Sequence, residues 1–193
     1  MPSSRVLSFA DPHRYQASIR SAEVEVFVTK KGTFCVELTQ INLHRLWMQR
    51  ASETLPRVFH SAVSKKRAPI VFLAHANQAP MQHSGMEVSP GAIIVDALGA
   101  THHHKMTPEE LTEAGSVING RELAVPSVTY LVRPPPVLMG RLLSLHENAG
   151  RLAKAAPERL AHREVARFFE QALVSKRPVD RMQDGRRRPA PRW

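Results

Sequence analysis

The sequence predicts an α+β chain, with an antiparallel β domain first and an α-helical hairpin after it. Three observations predict this. Up to residue 106, apolar side chains recur in short runs, often at every second position, between turn residues. That is the pattern of half-buried strands joined by tight loops. After the triplet Pro134-Pro135-Pro136 the apolar spacing changes to steps of three and four, the period of an α-helix. The chain is also 42% hydrophobic and 23% charged over 193 residues, enough apolar material for a core.

Residues 1–20 are mixed in character and form an N-terminal segment. AEVEVFVTK (22–30) alternates, with Ala22, Val24, Val26 and Val28 on one face and Glu23 and Glu25 on the other. Lys30, Lys31 and Gly32 make a tight turn, and TFCVELTQINL (33–43) reads as the partner strand of a hairpin. HRLWMQRAS (44–52), PRVFHSAV (56–63) and APIVFLAH (68–75) read as three more strands. GMEVSPGAIIVDA (85–97) reads as two short strands joined at Pro90-Gly91, and THHHKM (101–106) as another. No helical pattern precedes residue 107. This spacing favours an antiparallel sandwich or barrel over a parallel sheet.

TPEELTEAGSVING (107–120) is expected to be a short helix. Thr107 caps it, Pro108 takes its first position, Glu110 completes a capping box and Gly120 stops it. The stretch 124–136 is extended, and its prolines halt any regular element. Leu138, Leu142, Leu145, Ala149, Leu152 and Ala156 then form one apolar stripe. Pro157 interrupts it, and a second helix runs through Val165, Phe168, Phe169, Ala172 and Leu173. The predicted organisation is a segment at 1–20, a β domain at 21–136, a helical hairpin at 137–175 and a disordered arginine- and proline-rich tail at 176–193.

The formal net charge of +10 invites a nucleic-acid reading. Its placement weakens that reading. Lys176, Arg177, Arg181, Arg186, Arg187, Arg188 and Arg192 stand against only Asp180 and Asp184, so the tail carries half of the excess. A basic tail binds phosphates without sequence preference, but is more often a solvated end. Cys35 is the single cysteine. It excludes an internal disulfide and a cysteine-rich metal site, and reads as a packing residue within its strand. No signal-peptide run and no bilayer-length apolar stretch occurs, so the expected location is the cytoplasm.

Two long blocks carry a resemblance. INLHRLWMQRASETLPRV (41–58) and LAVPSVTYLVRPPPVLMGRLLSLHENAGRLAKAAPERLAHREVARFFEQALV (123–174) resemble the N-terminal domain of AraC-type transcriptional regulators. The resemblance covers roughly residues 8–174. It implies a cupin-like jelly roll followed by helices, a module that senses a small molecule in some members and often mediates dimerisation. It also implies a C-terminal domain with two helix-turn-helix motifs. Residues 174–193 are too few for such motifs, so no DNA-reading residue is carried over. The expectation is a regulator module without its DNA-binding domain, from a truncated or split reading frame, pairing as a homodimer or as a heterodimer with an intact regulator. The dimerisation residues implied are Leu138, Leu142, Leu145, Ala149 and Leu152.

Candidate site residues are few. Trp47 shares a strand face with Arg45 and Gln49. If that face lines the interior, Trp47 gives a small-molecule effector an apolar wall, Gln49 gives it a polar contact, and His60 on the next strand can point the same way. The plainer reading of Trp47 is core. His102 and His104 share a face of their strand, and Glu109 follows at nearly the spacing of a metal-binding cupin. But Glu109 and Glu110 suit a helix first turn, and the downstream His146 and His162 fall in the hairpin. The expectation is therefore no metal and no cofactor, with the histidines in an exposed strand or loop. No nucleophile, paired-carboxylate or phosphate-loop motif asks for an enzyme. Two alternatives stay open: a metal-dependent cupin-type enzyme using His102 and His104, and a basic nucleic-acid module acting through the tail.

Overall fold

A computed structural model describes residues 2–20, 22–43, 46–66, 68–106, 112–120 and 128–174. These residues are α+β, with two antiparallel sheets and a few helices. The elements run β1 (Ser3–Phe9), α1 (Pro12–Ser18), β2 (Ala22–Val28), β3 (Val36–Asn42), β4 (Leu46–Glu53), β5 (Arg57–Val63) and β6 (Ala68–Phe72). Then come β7 (Met81–His83), β8 (Met86–Val88), β9 (Ile93–Val95), β10 (Thr101–Met106), β11 (Thr112–Gly120) and β12 (Tyr130–Val132). The helices α2 (Pro136–Ala155), α3 (Pro157–Ala161) and α4 (Arg163–Val174) close the described chain. Among the described residues no helix is long and apolar enough to cross a membrane.

A seven-stranded sheet has the order β1-β3-β4-β11-β6-β9-β12, and a five-stranded sheet the order β2-β5-β10-β7-β8. Alternation decides what each face buries. On β3, Val36 and Leu38 turn to the five-stranded sheet and join Val26, Ala51, Met81, Val88 and Met106 in one core. From the other face of the large sheet, Ile41, Met48, Phe72, Ile93 and Val95 meet Ala149, Ala153, Leu160 and Ala166 of the helices. The large sheet is thus buried on both faces, and its short strands β6, β9 and β12 are correspondingly continuous apolar runs.

Several expectations change. Residues 1–20 are integral to the domain. β1 pairs with β3 along its whole length, from Ser3 opposite Asn42 to Phe9 opposite Val36. A helix also stands before residue 107. Asp11 caps α1 by accepting from the amides of His13 at 2.7 Å and Arg14 at 3.1 Å, and Pro12 opens the first turn. The expected hairpin of 22–30 with 33–43 does not form. β2 pairs with β5 in one sheet, and β3 pairs with β1 and β4 in the other. Alternation shows which face of a strand is buried, but it does not choose the neighbour. The connecting loop passes close to Leu55, whose Cδ2 lies 2.8 Å from where a Cβ on Gly32 would stand. Cys35 is exposed and does not pack in the core.

The helix expected over 107–120 is also corrected. Residues 107–111, with Thr107, Pro108, Glu109 and Glu110, lie outside the described residues. Thr112–Gly120 is strand β11, in the middle of the large sheet, between β4 and β6. The capping pattern is a local preference worth about 1 kcal/mol. The strand satisfies backbone donors and acceptors on both neighbours, a larger gain than the cap. The register shifts between Ala114 and Ser116, as at a bulge.

The hairpin appears as α2, broken at Ala156, then α3 and α4. The buried line of α2 is Met139, His146, Ala149, Gly150 and Ala153, rotated from the stripe of largest apolar residues. Small side chains let the helix axis approach the sheet. Leu142, Leu145 and Leu152 pack half-buried along its flanks. Of the five residues assigned to a dimer seam, Ala149 is fully buried and these three leucines rest on their own sheet, while Leu138 is half-buried.

Candidate functional site

Between the two sheets lies a cavity of about 130 Å3. Its walls are mostly apolar, with Leu38, Val24, Phe59, Val71 and Met106 among them. α1 closes one side with Tyr15, and Ile19 just past its end adds to that wall. A small set of polar groups reaches the wall: Gln49, Arg57, Ser61, Asp96 and His104. An apolar chamber with a few placed polar atoms suits a small organic molecule.

Two buried networks hold these polar groups. In the first, Tyr15, only 2% exposed, donates from its hydroxyl to Glu53 Oε1 at 2.6 Å, and Glu53 forms an ion pair with Arg57. The Arg57 guanidinium lies 4.2 Å from the centre of the Phe59 ring, a cation–π contact. Burial raises the Glu53 carboxyl above its usual range, and Arg57 opposes that shift. Burial, then the neighbouring Glu53, pushes the Tyr15 phenol well up. Nearby, Gln40 Nε2 donates to Gln49 Oε1 at 2.8 Å and to the carbonyl of Ser18 at 2.7 Å, while Arg5 Nε donates to Gln40 Oε1 at 2.7 Å. The end of α1 is thereby tied to β1, β3 and β4.

The second network is a histidine cluster. The β10–β7 pairing sets His104 opposite His83. His83 is 0% exposed, Asp96 2% and His102 4%. Asp96 Oδ1 stands 3.0 Å from His83 Nε2 and 3.1 Å from His102 Nε2, and accepts from the Thr129 hydroxyl at 3.4 Å. His83 Nδ1 faces His104 Nδ1 at 2.9 Å, His104 Nε2 lies 3.2 Å from Ser61 Oγ, and His102 Nδ1 lies 3.3 Å from Ser84 Oγ. Among the described residues, the ligand atoms of His83, Asp96 and His102 all lie within 4.8 Å of one another. Burial lowers the pKa of His102, with Asp96 pulling the other way. Burial lowers His104 well below its usual value, and the neighbouring imidazoles add to that.

The sequence-predicted residues are dispersed. Gln49 does line the cavity, and its carboxamide is held by Gln40. Trp47 lies on the same strand face but is half-buried away from the cavity wall, and Arg45 lies outside the described residues. His60 turns outward, stacked on His103 at 4.5 Å and 3.3 Å from Glu25 Oε2. The expectation of exposed histidines holds for His103 and fails for His102, because the odd and even positions of β10 face opposite ways. His83 and Asp96 went unread in the sequence. Asp96 is a lone polar residue in an apolar run, His83 lies between Gln82 and Ser84 in a short polar stretch, and only the pairing of β10 with β7 brings His83 to the cluster. Glu53 and Arg57 were likewise unread, although the i, i+4 spacing of opposite charges is visible.

No protein-family profile matches the chain, and no curated protein does. Among solved structures, the putative glyoxylate-induced protein from Pseudomonas aeruginosa is 10% identical with a TM-score of 0.32, and the alignment covers 72% of this chain and 55% of that one. Vicilin from Corylus avellana is 13% identical with a TM-score of 0.28, covering 85% of this chain and 49% of that one. The chain spans about half the length of each.

Proposed function

We propose that this chain is the effector-sensing and dimerisation part of an AraC-type transcriptional regulator, its two sheets forming a cupin-like jelly roll. The observation that carries the reading is the apolar chamber between the sheets. It has apolar walls, a roof made by α1, and Gln49, Arg57, Ser61 and His104 at its edge. The sequence resemblance over two long blocks supplies the family. The large sheet forms one wall of the chamber and carries α2, α3 and α4 on its far face. A ligand that shifts β3 or β4 from within moves the floor on which the helices rest. The reading assigns sensing and pairing to these residues and no DNA recognition. The pairing surface would be what α2 leaves outward, with Val137 67% exposed and Leu138 half-buried.

The test is a thermal-shift screen of small carboxylic acids, alcohols and phenols against the full chain, repeated on Ala51→Leu, which fills the chamber from β4. The expected result is a compound that raises the midpoint of the native chain and not of the variant, together with a dimer mass by light scattering that Val137→Glu halves. A monomer with no compound-dependent shift would remove the reading. The nucleic-acid alternative rests on residues 176–193, which lie outside the described residues. The metal alternative has a specific observation in its favour, in the buried histidines.

A further inference from the structure

We propose that His83, Asp96 and His102 form a binding site for one divalent first-row transition metal ion, with an open coordination position directed to the inter-sheet chamber. The donors are two imidazole nitrogens and one carboxylate oxygen, and His83, His102 and Asp96 are only 0%, 4% and 2% exposed. Imidazole and carboxylate donors together suit Zn2+, Fe2+ or Co2+ and not the hard cations Ca2+ and Mg2+. The oxygen-to-nitrogen separations of 3.0 and 3.1 Å are near those of neighbouring ligands around an ion with bonds of about 2.0–2.2 Å. Asp96 also lines the chamber, so a fourth ligand reaches the ion from there.

The outer groups support the same assignment. A ligating imidazole is normally steered by a partner on its second nitrogen. His83 Nδ1 has His104, and His102 Nδ1 has Ser84. Without an ion, the protons can be placed with every group neutral but Asp96. His83 and His102 donate from Nε2 to Asp96, His104 donates from Nδ1 to His83, and Ser84 and Ser61 donate to the bare nitrogens. With an ion, the three imidazoles exchange tautomers. Nδ1–H of His83 then donates to His104, Nδ1–H of His102 to Ser84, and Nε2–H of His104 to Ser61. Each Nε2 that faces Asp96 is freed for the ion, and no proton has to enter or leave the interior. The inference is independent of the regulator reading.

The test uses the full chain, stripped with a chelator and titrated with Co2+ by visible absorption and with Zn2+ by calorimetry. One equivalent should bind, with Co2+ ligand-field bands. His83→Ala and His102→Ala should each weaken binding more than about 10-fold, and Ser84→Ala about 10-fold or more as an outer-group loss. His60→Ala with His103→Ala removes the exposed, stacked pair and should change nothing. If a buried variant fails to fold, imidazole 15N shifts of the native chain decide. Two buried Nε2 atoms should shift on Zn2+ addition, and Nδ1 protonation should appear in their place. No binding, unmoved imidazole shifts, or binding that depends on His60 and His103 would overturn the assignment.

Discussion

At the scale of the residue, the interior is organised by a few buried polar groups that each depend on one partner. Tyr15 is the clearest. Its ring fills the inter-sheet core and its hydroxyl serves Glu53. Tyr15→Phe keeps the ring and leaves a buried carboxylate oxygen short of a donor. We expect a loss of about 1–3 kcal/mol in urea denaturation, the cost of a buried unmet acceptor. A variant equal in stability to the native chain would show that water replaces the hydroxyl. Tyr15 was hard to see in the sequence. It lies in a stretch without clear period, and its value comes from a contact 38 positions away. Gln49, by contrast, was legible, because a polar residue on an apolar strand face is conspicuous wherever that face is buried.

At the scale of the element, strands with alternation were read well and their neighbours were not. β2, β4, β5 and β10 lie within a residue or two of the expected ranges. Alternation is a property of one strand in a half-buried place. Pairing depends on loop paths and sheet closure, which no single stretch encodes, and so the β2–β3 hairpin failed. β11 failed for the complementary reason: a good capping sequence was outweighed by two unpaired strand edges. β7 escaped notice because three residues are too few to show a period. In α2 the helix itself was legible and its buried line only at Ala149, since Gly150 and Ala153 carry little hydrophobic signal. Gly140 offers a test at this scale. It sits inside α2, and apart from its chain neighbours and the adjacent helix backbone no atom lies within 4 Å of where its Cβ would be. Gly140→Ala should therefore stabilise the chain by about 0.5–1 kcal/mol. A lower thermal midpoint would mean that a neighbour occupies that space in solution.

At the scale of the whole molecule, stability should depend on pH through histidines held neutral by burial. His146 in α2 packs edge-on against Phe72, and burial, then Arg50, lowers its pKa to about 3. Unfolded, it titrates near 6.5. Between those values the unfolded chain binds a proton that the folded chain refuses, so unfolding becomes easier as the pH falls. His146 alone contributes about 1.4 kcal/mol per pH unit over that window. The contribution vanishes above the unfolded value and levels off below the folded one. His102 and His104 shift in the same direction and steepen the slope. Denaturant midpoints should hold nearly level from pH 7.5 to about 6.5 and then fall to pH 4.5, and a flat profile throughout would show that these rings are open to solvent. Two layers of burial produce this sensitivity, since the large sheet has one histidine group on each face.

The pairing of β1 with β3, and the amide ladder that fastens Ser18, have a practical consequence. Shortening the protein to begin at residue 21, where composition alone would cut it, removes the stopper of the chamber and uncovers β3 as a raw edge seven residues long. Such an edge recruits other copies of itself. A protein trimmed that way should precipitate when made, and a purification tag belongs ahead of Ser3, with the first strand and helix left intact.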